Sequence, residues 1–513
     1  MKKVSCFTDY RYRDKVIFTL IVFIAVIVRV VLFGEHPGGL NQDEASIGYD
    51  AWALMNYGID RNGFSLPVHL MAWGSGQNVL YAYFSMPFIA LFGLNVFSVR
   101  IVNLIFSLLT VIAVYFTLKQ AVNKRTAFMG MALTAAAPWN IMLARWGLES
   151  NLFPALFMIS IWALLKATVN KRFFYLAAVV LALSLYSYGS AYLVVTLFAL
   201  SCFVLFIVKK SVPLHTLLIG AAIYAVLSVP IYLFALINVF QLEGLQIGAL
   251  SIPRLYGNRI ESQSGATFES FFTNLYRFFV WQTDNFERNA FPFYGCYYVI
   301  SLPFMIAGIM RSVRKRTGFD FIVLFALICS VLLFGYYNDP NINRVNAIYL
   351  PLILLTAVGM GSILRNKRSI AAVAVSYAIC FTGFCFRYFG NDYRESIGKE
   401  FYEGLGEAIE KSVELSGGNT PVSIASPNMP YIYALFYAQT PPDEFLNTVV
   451  YETPGTMFQS VSSFSNFSFT TDIASFNPGS PGIYVIDASR EYDAAIRTNE
   501  IYRYDNYLVA VIR

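Results

Sequence analysis

The sequence predicts a polytopic α-helical membrane protein that ends in an α/β domain outside the bilayer. Three observations carry this. The 513 residues are 57% hydrophobic and only 13% charged, where soluble domains carry roughly 25% charge. Runs of about 20 apolar residues, the length that crosses a hydrocarbon core as a helix, recur from residue 15 to residue 387. Beyond residue 390 the long apolar runs stop, and 16 of the 31 acidic residues fall there. The net charge of +6 comes from basic residues scattered over short loops, which is no nucleic-acid footprint.

Eleven spans are expected, near 15–34, 96–118, 126–143, 152–168, 173–188, 190–208, 214–237, 296–311, 319–337, 345–364 and 369–387. Basic clusters orient them. Lys2, Lys3, Arg11, Arg13 and Lys15 precede the first span, and later clusters centre on Lys124, Lys171, Lys209, Arg314 and Lys367. With eleven spans every cluster faces the cytoplasm, as membrane proteins prefer. The reading is a multi-pass plasma-membrane protein with a cytoplasmic N-terminus and an extracytoplasmic C-terminal domain. The basic start leads into a long apolar run without a small-residue cleavage site, so the first span is expected to be retained.

The run VLYAYFSMPFIALFG, residues 79–93, is short and contains Pro87. If it crossed, every later basic cluster would face outward. It is therefore read as a re-entrant or interfacial segment of a first outer loop, residues 35–95. A second outer loop covers 238–295, and the transmembrane module as a whole covers 1–389. In the first loop Ile47, Ala51, Leu54 and Met55 share one helical face, which predicts a helix lying on the membrane surface.

Residues 390–513 read as the α/β domain. NDYRESIGKEFYEGLGEAIEKSVEL predicts one amphipathic helix, VSIA, FSFTT, GIYVID and YLVAVIR predict strands, and MPYIYALFYAQ predicts a second helix. No cysteine lies beyond Cys385, so this domain has no internal disulfide.

The candidate chemistry sits where spans meet outer loops. Asp43 and Glu44 form an adjacent acidic pair just past the first span. A carboxylate there is placed to take a proton from a hydroxyl beside a lipid-borne substrate. Asp43 also suits a helix N-cap, with Glu44 in the first turn. Arg145 and Glu149 sit four apart at the second outer turn, either as a helix-end pair or as a site. Arg100 reads as an interfacial anchor or a substrate contact. Arg344 enters the tenth span from outside, where a planar guanidinium fork suits phosphate oxygens, of a substrate or of a lipid headgroup. Arg254, Arg259, Arg277 and Arg288 in the second loop are weaker candidates. His36, His69 and His215 lack zinc-ligand spacing. A divalent ion shared by Asp43 and Glu149 stays open as a cofactor.

One resemblance gathers these residues. An Asp-Glu pair after the first span is followed by an amphipathic helix and by G-x-x-x-x-G-x-x-x-P at Gly58, Gly63 and Pro67. An apolar run ending in FG comes next, with Arg100 downstream. This order resembles the GT-C glycosyltransferase superfamily, in particular the protein O-mannosyltransferases and the lipid A aminoarabinose transferases. The likeness covers residues 10–390 in layout and 35–150 in motifs. It implies a polyprenyl-phosphate sugar donor used on the outer face with inversion, and a protein or cell-envelope glycan or lipid as acceptor. It also implies that Asp43 is the catalytic acidic residue, Glu44 its neighbour, and Glu149 the second-loop acid. Glu149 is followed here by Ser-Asn, and the C-terminal domain departs from the extra domains of the mannosyltransferases. A transporter or lipid flippase is the rival reading. It predicts charges buried in mid-span and broken helices in matching halves, whereas these spans are almost free of charge.

Overall fold

The computed structural model describes residues 2–257, 265–291, 294–426, 428–472, 480–498 and 500–513, with side chains from residue 12 onward apart from residue 492. Among the described residues seven helices are long and apolar enough to cross a membrane. They are Val96–Ala121, Glu149–Ala167, Ser190–Lys209, Leu214–Val239, Gly318–Tyr336, Ile342–Ile363 and Lys367–Tyr388. The other four expected spans coincide with the helices Lys2–Val30, Lys124–Ala136, Arg172–Leu185 and Leu302–Lys315.

Asparagine sets many of the starts. Asn41, Asn95, Asn123, Asn341 and Asn366 each cap a helix by accepting from a first-turn backbone N–H. Proline sets a break. The expected span at 126–143 stops at Ala136, Ala137 is extended, and Pro138 opens a separate short helix, Pro138–Leu143. Proline disfavours the α conformation in the residue before it, and here Ala137 leaves the helix, so a run uniform in hydropathy is not one helix.

The helix Leu302–Lys315 packs on Tyr349–Ile363 through two glycines. A Cβ on Gly308 would strike the Leu355 carbonyl, and one on Gly359 would strike the Phe304 carbonyl. Small residues at such a crossing let two backbones meet closely within lipid.

The run at 79–93 forms a 13-residue helix, Leu80–Phe92, with Pro87 inside it. The next helix, Gln42–Tyr57, corrects an expectation. It does not lie on the membrane surface, because Ile47, Ala51 and Leu54 are buried and of the expected face only Met55 is exposed. Leu80–Phe92 and a helix of the C-terminal domain, Pro430–Ala438, cover it. Gly48 has no room for a Cβ between Val99 and Phe436.

The C-terminal domain carries a seven-stranded mixed sheet. Its strand order is Ile501–Tyr504, Tyr507–Ile512, Gly482–Asp487, Val422–Ala425, Phe467–Thr470, Val461–Phe464 and Val450–Tyr451. Val422–Ala425 pairs in parallel with both neighbours, and the remaining pairs are antiparallel. The single amphipathic helix expected at its start is two helices, Asn391–Glu400 and Leu405–Ser416. They break at Gly404, whose φ of +92° and close approach to the Tyr504 carbonyl only glycine accepts. The short strands Val450–Tyr451, Val461–Phe464 and Ile501–Tyr504 carried too little pattern to be expected. One hydrophobic cluster runs from Leu40, Ile47 and Val99 in the first loop to Ile432, Phe436 and Val485 in this domain. The domain is therefore continuous with the loop at 35–95.

Gly359→Ala is expected to lower stability by about 1–3 kcal/mol through overpacking against the Phe304 carbonyl. Gly318→Ala, with nothing within 4 Å of the new methyl, is expected to be neutral. Thermal melts of the purified protein in detergent compare the two.

Candidate active site

A cavity of about 930 Å³ opens where the long helices end and the long connecting loops begin. One wall comes from the first loop (Asn41 to Asp43, and His69 with Trp73 to Asn78), and a second from the turns at 146–149 and 188–193. Phe234, Leu333 and Tyr336, at the ends of two membrane helices, make its apolar end. Arg288, Asp339 and Arg344 add charge, and Glu400, Tyr402 and Asn428 of the C-terminal domain close the far side. The volume lies within the range of small-ligand pockets.

Asp43 is held in this wall by neighbours in its own loop. Trp73 Nε1 donates to Asp43 Oδ1 at 2.9 Å, and Gln77 Nε2 donates to the Asp43 carbonyl at 3.2 Å and to Oδ1 at 3.4 Å. Gln77 is oriented in turn by the Ser46 hydroxyl, which donates to its Oε1 at 2.6 Å. Behind Trp73 lies the buried Arg61 guanidinium, 5.5 Å from the ring centroid and paired with the buried Asp50 at 3.5 Å. Burial pushes the carboxyls of Asp50 and Asp60 up, Asp60 to about 7, and for Asp60 the Asp50 charge adds to it. The Asp50–Arg61 pair thus backs the ring that orients Asp43. Asp43 is not the helix N-cap. Asn41 fills that role, its side chain accepting from the Asp43 N–H at 3.0 Å.

Glu44, the other half of the acidic pair, points away from the cavity and is fully buried. It accepts from Arg100 Nε at 2.8 Å and Nη2 at 2.9 Å, from the Gly147 N–H at 2.6 Å and from the Asn41 N–H at 2.9 Å. Arg100 spends its remaining donors on the carbonyls of Gly34, Pro37 and Gly39. Arg145 is likewise buried, with its donors on the carbonyls of Val28, Arg29, Val31, Leu32 and His36. It caps the end of the first long helix, where a cation meets orphan carbonyls and the negative end of the dipole. Neither arginine, nor Glu44, lines the cavity. The structure assigns all three to scaffolding, because guanidiniums this deep need fixed acceptors and find them in the protein.

Glu149 and Arg344 do line the cavity. Glu149 is 6% exposed, and its Oε2 has no hydrogen-bond partner among the described residues. It opens a 3₁₀ turn ahead of the helix Phe153–Ala167, so its side chain stands beside Trp146 and Leu148. The Arg344 guanidinium lies 5.6 Å from the Tyr337 ring centroid and makes no salt bridge among the described residues. Arg288 pairs with Glu400 and sits 4.5 Å from the Phe286 ring centroid. Arg277 pairs with Asp339, Arg254 donates to Gln241 at 3.4 Å, and Arg259 lies outside the described residues. His69 stacks on Phe234 at 4.2 Å, and burial holds its imidazole down at about 4. Among the described residues no group of three metal-ligating side chains gathers. Trp73, Gln77, Tyr402 and Asn428 were not foreseen. The only signal in the sequence was the glycine-flanked WGSGQN turn inside an outer loop.

A family profile described as dolichyl-phosphate-mannose-protein mannosyltransferase matches residues 77–234. No curated protein sequence matches the chain. In solved structures the likeness runs end to end. ArnT from Cupriavidus metallidurans in the apo state superposes with a TM-score of 0.56 at 12% identity, covering 98% of each chain. The chain has the GT-C glycosyltransferase fold. The same ArnT bound to undecaprenyl phosphate gives 0.57 at 12% identity, covering 96% of this chain and 97% of that one. The archaeal oligosaccharyltransferase AglB from Archaeoglobus fulgidus, in complex with an inhibitory peptide and a dolichol-phosphate, gives 0.50 at 12% identity. That match covers 84% of this chain and 64% of AglB.

Arg100→Ala leaves Glu44 buried beside two backbone N–H donors but without its cation. It is expected to cost about 3–5 kcal/mol, the usual consequence of stranding one partner of a buried pair. Arg344→Ala, in the cavity wall, is expected to change the melting temperature far less. Thermal denaturation of the two variants side by side separates scaffold from site.

Proposed function

We propose that this protein transfers a sugar from a polyprenyl-phosphate donor to an acceptor hydroxyl on the outer face of the plasma membrane, with inversion at the sugar carbon. One observation carries the proposal. A carboxylate oriented by Trp73 and Gln77 shares a cavity with Arg344, an arginine lacking a carboxylate partner among the described residues, at the level where apolar helices end. A lipid phosphate needs that combination: tail in the bilayer, cation at the boundary, base beyond it.

In this mechanism Arg344 binds the phosphate oxygens through its fork of N–H donors. The acceptor hydroxyl attacks the anomeric carbon from the face opposite the phosphate, and its proton passes to Asp43. The carbon–oxygen bond to phosphate breaks, and its electron pair leaves with the polyprenyl phosphate. A single displacement inverts the centre. Should a divalent ion take part, Asp43 and the unpartnered Glu149 carboxylate would hold it, and it would supply Lewis-acid stabilisation of the leaving phosphate. The mannosyltransferase description of the matched family and the undecaprenyl phosphate in the ArnT structure support the donor class. Nothing in the cavity favours a transporter.

The topology belongs to the proposal: eleven spans, N-terminus in the cytoplasm and C-terminal domain outside. In a cysteine-free background, Asn419→Cys should react with an impermeant maleimide in intact cells and Lys315→Cys should not. The opposite pattern would invert the arrangement.

Asp43→Asn should fold normally, since Asn41 keeps the cap, and should lose about 10²–10⁴ in turnover, the usual worth of a general base. Wild-type turnover would remove the base from Asp43. Arg344→Lys should raise the donor KM moderately and Arg344→Ala severely, with the acceptor KM little changed. These are steady-state measurements with a panel of polyprenyl-phosphate sugars, and an unchanged donor KM in the alanine variant would reduce Arg344 to an anchor.

A further inference from the structure

The C-terminal domain has no part in the donor chemistry above, yet it reaches the cavity with Tyr402 and Asn428. Asn428 Nδ2 donates to the Tyr402 hydroxyl at 2.9 Å, joining two segments of the domain across the cavity wall. Both residues sit in the left-handed region, Tyr402 at φ +55° and Asn428 at φ +56°. Asparagine tolerates that backbone, whereas an aromatic residue there is unusual and persists only where its surroundings over-determine it. Those surroundings are specific. The Tyr402 ring meets Tyr433 edge-on at 5.4 Å, and the Tyr433 hydroxyl, on a side chain 1% exposed, has no partner among the described residues.

The two sides of the cavity differ in kind. On the transfer reading, a donor with its tail in the bilayer enters past Phe234, Leu333 and Arg344, which line the same cavity as Asp43. The side across from that entrance belongs to the C-terminal domain. The cation that meets it, Arg288 of the second loop, is already paired with Glu400. What it offers a ligand is a tyrosine hydroxyl, a carboxamide and an aromatic ring. A neutral wall with both donors and acceptors suits a hydroxyl-rich neutral ligand better than an anion or an acyl chain.

We infer that Tyr402 and Asn428 form the acceptor subsite, holding a neutral saccharide with one hydroxyl toward Asp43. The inference rests on the donor-transfer reading and gives the C-terminal domain its task within it.

The test uses the full chain in lipid nanodiscs with two probes measured separately. One is undecaprenyl phosphate, and the other is a set of neutral methyl glycosides and disaccharides followed by ligand-observed NMR. Tyr402→Phe keeps the ring and removes the hydroxyl. Asn428→Gly removes the carboxamide while accepting the same backbone without strain. Each should weaken saccharide binding roughly three- to tenfold, the size of one or two neutral hydrogen bonds, and leave undecaprenyl phosphate binding as in wild type. Arg344→Ala should do the reverse. Unchanged saccharide affinity in both variants overturns the subsite, and so does a wild type that binds hydroxyl-bearing peptides but no saccharide. Failure of the wild type to bind undecaprenyl phosphate strikes the donor reading, and the acceptor role with it. Intact undecaprenyl phosphate binding with no saccharide response strikes the subsite alone.

Discussion

The buried Glu44–Arg100 pair decides where the rest of the cavity can stand. Taking both charges out of water is costly, and their mutual attraction repays that only with good geometry and with every remaining donor and acceptor satisfied. Here they are satisfied. The carboxylate takes two backbone N–H groups, and the guanidinium takes three loop carbonyls. Those partners come from the entry to the first loop, from the start of the helix Gln42–Tyr57 and from the turn before Glu149. One contact therefore sets the relative positions of the segments that bear Asp43 and Glu149.

Adjacent residues divide the work because of helix geometry. Asp43 and Glu44 open the same helix, and successive side chains diverge by about 100° around the axis. One carboxylate faces the cavity and the other the scaffold. Arg145 and Glu149 divide in the same way across a turn that leaves the helical path: Arg145 turns back to close the first helix, and Glu149 turns into the cavity. In both cases a charged pair in sequence becomes one structural member and one member available to a ligand.

The bilayer explains what was legible in the sequence. Helices in lipid must satisfy their own backbone, so apolar length announced most of them, whereas the break at Pro138 and the asparagine starts emerged only in the structure. Asp43, Glu149 and Arg344 stood out because charge near a span is expensive enough to need a reason. The same argument picked out Arg100 and Arg145 but could not say what holds them, since apart from Glu44, which takes Arg100, their acceptors are carbonyls of residues 28–39 and carbonyls leave no mark in a sequence. The surface reading of Gln42–Tyr57 failed for a related reason. An apolar helical face looks the same whether lipid or protein covers it, and here the cover is Phe436, almost 400 residues away. Trp73, Gln77, Tyr402 and Asn428 are ordinary residue types in ordinary loops, and only the tertiary fold gathers them.

The core shared between the first loop and the C-terminal domain has a consequence for how the molecule is made. The Tyr49 hydroxyl donates to the Thr440 carbonyl across a separation of 391 residues, and the sheet that backs the same core ends at Ile512. During synthesis the helix behind Asp43 must therefore wait, its apolar face uncovered, until nearly the whole chain has been inserted. Contacts so distant in sequence form late, because the loop they close must be ordered first. A chain cut between Tyr388 and Glu400 would hold Asp43, Glu149, Arg344 and its membrane helices yet lack one side of the cavity. Assembly of the site thus waits on a sheet that lies almost 400 residues along the chain from Asp43.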